Sequence, residues 1–489
     1  MLQMNGGSLQ SHGRGPAIIV GLLAVAAASG AIVWLGTDSV PVILAVLVGC
    51  VALLKPAWGF VGYLVLTATL PSSQGVSRAE IACFGLLFWL FAIASLKMLH
   101  NPPAYRYAKQ VIAAVYVLMA VIGANWLVAW GRGIDFTDWA RDVVPLSNLV
   151  MLIVLPTFIT HEKDVRALRT IFTGIIVYIG LAGVLSLSAG IIPGLPQLWN
   201  PLTVGGTWLP VLLVAAAAAG ISVAAKGKWL YLGMGALGVA IAVFTPTRTI
   251  WVGVLSVILV SSALNLRAGH RYLRRNVALV LFLALTAGGL LQFWRSTGNT
   301  NTWVGQENRF QTLGDLSEDQ SVDIRKRQVQ EALFQFSSSP FFGVGLGHQY
   351  LYQIEYTDRY EGATNYNHSD IANTLCKMGL IGTLAVYTLL IMAVVLSGRL
   401  RRQGIDDKDR WFGAMAQIAL VAALIMGNSC PVLQERGATF LVGLLIGLVV
   451  AIAASNDRTV RATALRDAPA EAWQTEQLTP RVGMAANDR

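Results

Sequence analysis

Charge is scarce in this chain: Asp, Glu, Lys and Arg make up only 13% of its 489 residues. Soluble domains ordinarily carry about 25%, so a soluble enzyme is excluded. Cysteine is nearly as rare. The four residues Cys50, Cys83, Cys376 and Cys430 are scattered and form no CxxC pair, which indicates neither a disulfide framework nor a thiolate zinc site. The six histidines form no HExxH helix, and no glycine-rich loop runs into Gly-Lys-Ser/Thr, so zinc-protease and P-loop chemistry have no support. A metal-bound acidic pair in a first outer loop also fails on content, because Gly36–Ser39 holds only Asp38. No internal repeat suggests the inverted halves of a secondary transporter.

What is abundant is apolar sequence, 55% of the chain. Apolar segments run at roughly 17–35, 40–54, 58–70, 81–96, 111–130, 144–160, 171–192, 208–225, 229–245, 250–265, 277–293, 371–397, 411–429 and 438–454. A membrane span needs about 20 such residues, and shorter ones tilt or merge. The fold class that follows is all-α: a polytopic helical membrane protein with about 12–14 transmembrane helices and one large loop. The first segment is not preceded by a strongly basic region or followed by an AxA-like cleavage site, so it reads as a retained span. The expected organisation is transmembrane helices over 1–293, a loop domain over 294–370, helices over 371–454 and a disordered cytoplasmic tail over 455–489.

Net charge is +10, and in such a protein that excess is first a topology signal. With the N-terminus inside, every short inside loop is basic, which puts 294–370 on the outer side. That loop holds more acids than bases, so it is no nucleic-acid arm, and no nucleic-acid partner is expected. Outer arginines remain to be explained. Arg78, Arg132, Arg141, Arg248 and Arg436 lie on short outer loops or span ends, where topogenesis does not require them. Guanidinium forks suit phosphate oxygens, so a phosphorylated lipid headgroup is the expected ligand there.

Of the histidines only His348 and His368 face outward. His368 lies in Asn365-Tyr-Asn-His-Ser-Asp370, directly before an apolar helix that Ser369 or Asp370 can cap. The positive end of that helix disfavours the imidazolium and keeps a neutral ring available as a base; the plainer reading is a histidine that helps cap the helix. Asp370, Asn373 and Lys377 recur at helical spacing and form one polar stripe. Lys377 either faces a wet cavity in the bundle or snorkels to the surface. In the loop, Arg309 and the run Asp323-Ile-Arg-Lys-Arg327 flank an expected amphipathic helix to Phe336. Arg325 there faces a site, or else the run is a solvated helix face. Gly343-Val-Gly-Leu-Gly347 reads as a loop reversal before His348.

The order of these pieces carries a resemblance. Thr245-Pro-Thr-Arg248 at a helix break comes first, then a long outer loop with Arg309, Asp-Ile-Arg325 and Ser-Pro-Phe-Phe-Gly-Val-Gly-Leu-Gly347. His368 follows, then a helix with Met378-Gly-Leu-Ile-Gly382. Over roughly 240–385 this set resembles the O-antigen ligase and polymerase superfamily of bacterial envelope glycosyltransferases. The resemblance implies a GT-C-like membrane enzyme of the bacterial inner membrane, with its active site on the periplasmic side. It implies transfer of a glycan from undecaprenyl pyrophosphate to a hydroxyl of an acceptor, either lipid A-core or another lipid-linked repeat unit. No cofactor and no metal are implied. Carried over by position, Arg248 and Arg325 bind the pyrophosphate and His368 takes or orients the acceptor hydroxyl proton. Arg309, Arg436, Asp370, Asn373 and Lys377 are then the expected substrate-binding residues. Two positions depart from the family's habit: Ser369 stands where Asn is common, and Lys377 where an acid is common. A flippase or transporter of lipid-linked sugars is the competing class, and it needs essential polar residues deep within spans.

Overall fold

The computed structural model describes residues 40–69, 78–100, 106–189, 206–223, 228–245, 248–266, 270–296, 320–350 and 366–466. Among these the helices run in the order α1 (Val40–Leu54), α2 (Pro56–Thr69), α3 (Arg78–His100), α4 (Arg106–Gly131), α5 (Phe136–Phe158), α6 (Glu162–Ala189) and α7 (Leu209–Val223). Then come α8 (Lys228–Phe244), α9 (Arg248–Leu266), α10 (His270–Ser296), α11 (Gln320–Ser338), α12 (Asp370–Gln403), α13 (Asp407–Met426) and α14 (Arg436–Arg466). Among the described residues, nine helices are long and apolar enough to cross a membrane, and α1, α2, α7 and α8 are shorter apolar helices. Each coincides with an expected segment, so the chain is a polytopic all-α membrane protein. The expected first span, 17–35, lies outside the described residues.

Burial sorts the helices into centre and rim. In α14, 89% of the most apolar window is buried inside the protein, against 17% in α10. Helices already solvated by lipid gain nothing hydrophobic by associating, so the central contacts depend on close packing of small residues. Gly443 and Gly447, spaced as GxxxG on α14, let the backbone of α5 approach. A Cβ at Gly447 would stand 2.7 Å from the Met151 carbonyl oxygen, and one at Gly443 would strike that of Asn148. The partner is itself broken: Pro145 and Pro156 interrupt α5, which passes through a 3-10 turn at Asn148–Val150. Proline removes a ladder donor, and neighbouring helices satisfy the groups freed.

Hydropathy ends the last span at Ala454, where the tail was expected to lose structure. Instead α14 continues to Arg466, because Asn456 Nδ2 donates to Asp409 Oδ2 at 3.0 Å and Arg458 Nη1 to the Thr160 carbonyl at 2.9 Å. The residues after 466 lie outside the description. At this same end of the bundle Arg169 pairs with Asp409 and, at 3.5 Å, with Asp406.

The opposite end positions the candidate site. There the N-termini of α9, α12 and α14 meet the segment 427–435 that follows α13. Thr249 Oγ1 lies 3.5 Å from the Ser429 carbonyl oxygen, Asp370 N donates to the Gly427 carbonyl at 2.7 Å, and Thr207 N, just before α7, donates to Glu435 Oε2 at 2.9 Å.

Candidate active site

Helix α12 begins as its sequence asks. Ser369 is the N-cap, and its hydroxyl accepts from Ala372 N at 3.2 Å. Just before it, Asn367 is fully buried and pinned from two sides. Its amide Nδ2 donates to the Gln328 carbonyl of α11 at 2.9 Å, and its backbone pairs with the Gln434 side chain at 3.1 and 2.8 Å. His368 is thereby fixed on rigid neighbours. Its ring Nδ1 lies 2.6 Å from Gln328 Oε1, and Tyr366 packs edge-on at 5.1 Å between ring centroids. Burial, and after it the nearby charge of Arg325, push the His368 pKa from its ordinary 6.5 down to about 4. The ring is neutral at physiological pH through burial and Arg325, not through the helix terminus that the sequence suggested.

Arg325 thus stands on the His368 side of α11, while Arg327 on the exposed face pairs with Asp323 at 3.1 Å. The charge run divides between the two readings given to it: one arginine faces the site, the other is solvated. The Nε of Arg325 is buried with no hydrogen-bond partner, and among the described residues no carboxylate pairs with this side chain. Arg248 opens α9, half-buried, one residue before Thr249 on the 427–435 segment. Arg436 opens α14, half-buried, at the other end of that segment. Arg309 lies outside the described residues, as do the surroundings of Arg78.

The polar stripe on α12 turned inward. Asp370 is 2% exposed, and its carboxylate accepts from Leu433 N at 3.0 Å and from Gln434 Nε2 at 3.2 Å. Asn373 accepts from the Tyr350 hydroxyl at 2.9 Å. Lys377 is 1% exposed, so it does not snorkel. Its ammonium donates to Asp142 Oδ2 at 2.7 Å and lies 5.4 Å from the centre of the Tyr350 ring. These three residues hold the site's frame rather than present free polar atoms to a ligand. His348 sits beside the same frame, edge-on to Tyr350 at 6.0 Å, with its pKa lowered by burial and by Lys377.

The glycine run does more than reverse the chain. Helix α12 is broken at Gly379, at φ +66 and ψ −169, a left-handed conformation that L side chains avoid. The run 340–347 docks into that break. Val344 N and Gly345 N donate to the carbonyls of Cys376 and Lys377 at 2.8 and 3.0 Å, while Leu380 N and Ile381 N donate to those of Pro340 and Phe341 at 2.8 and 3.2 Å. Asn125 of α4 donates to the Lys377 carbonyl at 2.9 Å and accepts from Leu346 N at 2.7 Å; Gly347 N donates to Asp142 at 2.7 Å. The backbone groups that an interrupted transmembrane helix leaves open are thus satisfied by protein.

Sequence reasoning missed Gln328, Gln434, Glu435, Asn125 and Asp142. The signals were present but weak: Gln328 is three residues from Arg325 and so on its helix face, and Asn125 is a polar residue inside a span. Glu435 is buried beside Thr207, and that burial raises its pKa.

The family model described as O-Antigen ligase matches residues 233–387, which include Arg248, Arg325, Gln328, the docked glycine run and His368. A search of curated proteins returned no match. Over residues 233–387 the multi-pass chain is therefore similar to the O-antigen ligase family, whose members are glycosyltransferase-type enzymes.

Proposed function

We propose that the protein transfers a glycan from undecaprenyl pyrophosphate to a hydroxyl of the lipid A-core on the periplasmic face of the inner membrane, without a metal. The observation that carries this reading is the pairing of a neutral imidazole with an arginine that no acid among the described residues neutralises, at one end of the bundle. Such an arginine is matched to an incoming diphosphate, and a neutral imidazole to a hydroxyl proton. In the transfer step the acceptor hydroxyl gives its proton to His368 while its oxygen bonds to the anomeric carbon. The bond from that carbon to the pyrophosphate oxygen breaks, and the electron pair leaves on the pyrophosphate. Arg325 and Arg248 stabilise the charge that develops there. The basic loops at the Arg169 end support the orientation.

The polymerase of the same superfamily uses the same chemistry on another lipid-linked repeat unit. A deletion strain separates the two: unligated full-length polymer supports the ligase, and single repeat units support the polymerase. A flippase is disfavoured because the deep polar residues Asp142, Asn125 and Lys377 are spent on one another and on backbone. The central test is transfer by the purified protein from a lipid-pyrophosphate donor. His368→Ala, Arg248→Ala and Arg325→Ala are each expected to lose roughly 10²-fold or more in rate, with normal membrane insertion and no effect of chelators. Full transfer by His368→Ala would remove its role as base.

A further inference from the structure

A neutral histidine has two tautomers, and only one leaves a given ring nitrogen able to take a proton. At His368 the choice is fixed by an unambiguous donor. Gln328 Oε1 receives the backbone N–H of His368 at 3.2 Å as well as the contact from ring Nδ1 at 2.6 Å. A backbone N–H can only donate, so the amide atom facing it is the oxygen and not the NH2 group. That oxygen can only accept, and Nδ1 must therefore carry the hydrogen. Gln328 is itself 2% exposed, and its carbonyl is held by the buried Asn367 amide. The side chain is thus anchored at both its backbone and its head.

We propose that Gln328 is the positioning residue of this enzyme: it locks His368 as the Nδ1–H tautomer and leaves Nε2 bare for the proton of the acceptor hydroxyl. This rests on the reading of His368 as the base. It also explains why Arg325 and Gln328 share one face of α11, since the same helix turn then sets the charge that meets the diphosphate and the tautomer of the base. The other titratable or charged groups around the Tyr366–His368 pair, among the described residues, are Arg325 from α11, Asp370 on its own segment, and Cys430 and Glu435 from the segment after α13. None of these is placed to receive the Nδ1 proton; Gln328 is.

Two substitutions separate positioning from mere packing. Gln328→Leu keeps the volume and loses the acceptor. Its kcat should fall roughly 10²-fold with the donor KM within about threefold, because the ring is then free to carry its proton on Nε2. Gln328→Glu keeps the acceptor and adds a negative charge, which stabilises the imidazolium. It should retain transfer at high pH, and the acid limb of its pH–rate profile should move up by about one unit or more. Nitrogen-15 shifts of the ring in the wild-type protein, assigned by comparison with His368→Asn, should show a protonated Nδ1 and a bare Nε2. The proposal is overturned by the opposite tautomer, by wild-type kcat in Gln328→Leu, or by an unmoved acid limb in Gln328→Glu. If His368→Ala is inactive while Gln328→Leu is not, only the positioning role falls; if His368→Ala is active, the base itself falls.

Discussion

Lys377 and Arg325 are both cations held toward the interior at the same end of the bundle, and they have opposite fates. Lys377 is closed in: an acid at 2.7 Å and an aromatic face at 5.4 Å surround it. Arg325 has no such acid among the described residues, and its charge is felt by a histidine. A buried cation with its own counter-ion is part of the scaffold, because separating the pair costs more than the pair contributed. A cation with no acid beside it among the described residues is the one matched to the anionic diphosphate of the proposed donor. The difference shows that the position of a charge in a helix pattern does not decide its use; the partner does.

The comparison is most easily broken at Lys377. Lys377→Ala leaves the half-buried Asp142 without its nearest cation, with only Arg141 remaining at 4.0 Å, and should cost up to about 3 kcal/mol of stability, read as a lowered unfolding midpoint in detergent. The double change Asp142→Asn with Lys377→Met removes both charges and should recover much of that loss. If the single change were silent, the pair would not be part of the frame. Arg325→Ala should do the reverse. Its unfolding midpoint should stay near that of the wild type while transfer falls roughly 10²–10³-fold. Equal losses of stability in the two variants would erase the distinction.

The sequence made the spans easy to read, since hydropathy marks apolar length directly. It also drew Arg248 and His368 out as candidates, because outward arginines run against the charge bias and histidines are few; Arg325 was a candidate chiefly through the order of motifs that carries the resemblance. Lys377 was legible only as an ambiguity, and the reason is physical: its counter-ion Asp142 lies on α5, far away in the chain, and no local pattern announces a pair formed across the bundle. Gln328 was hidden for another reason. An amide carries no charge to violate a rule, and its value lies in which atom of it faces a backbone donor. The glycine run showed its flexibility, but the break at Gly379 that it fills depends on carbonyls brought together only by folding.

A smaller effect, in pH, sharpens the Arg325 side. Burial and Arg325 hold the His368 pKa near 4, below its ordinary 6.5. The base form should therefore persist at mildly acidic pH, with transfer falling only as the pH drops through about 4. Removing the cation in Arg325→Ala should move the residual activity's acid limb upward, by less than burial contributes, since burial is the larger cause. The linkage has a definite sign. The unfolded chain binds the His368 proton more readily, so this residue's contribution to stability is lost as pH falls from about 6.5 to about 4 and is flat below. An acid limb in Arg325→Ala identical to that of the wild type would show that the two groups do not interact.

The smallest expected effect concerns Ser369, which separates the charge-bearing part of the site from the part that merely orients it. Its hydroxyl caps α12 through Ala372 N at 3.2 Å, and its own N–H donates to the Asn367 side chain at 2.9 Å. The second bond uses backbone and survives substitution. Ser369→Ala therefore loses only the cap, about 1 kcal/mol of stability. Ser369→Asn supplies another competent cap and should cost close to nothing. Because neither change touches Gln328, Arg325 or the ring of His368, the acid limb of transfer should coincide with that of the wild type in both. A shifted limb in Ser369→Ala with an unchanged unfolding midpoint would mean that the start of α12 tunes the imidazole directly, and that the frame and the chemistry are less separable than Lys377 and Arg325 suggest.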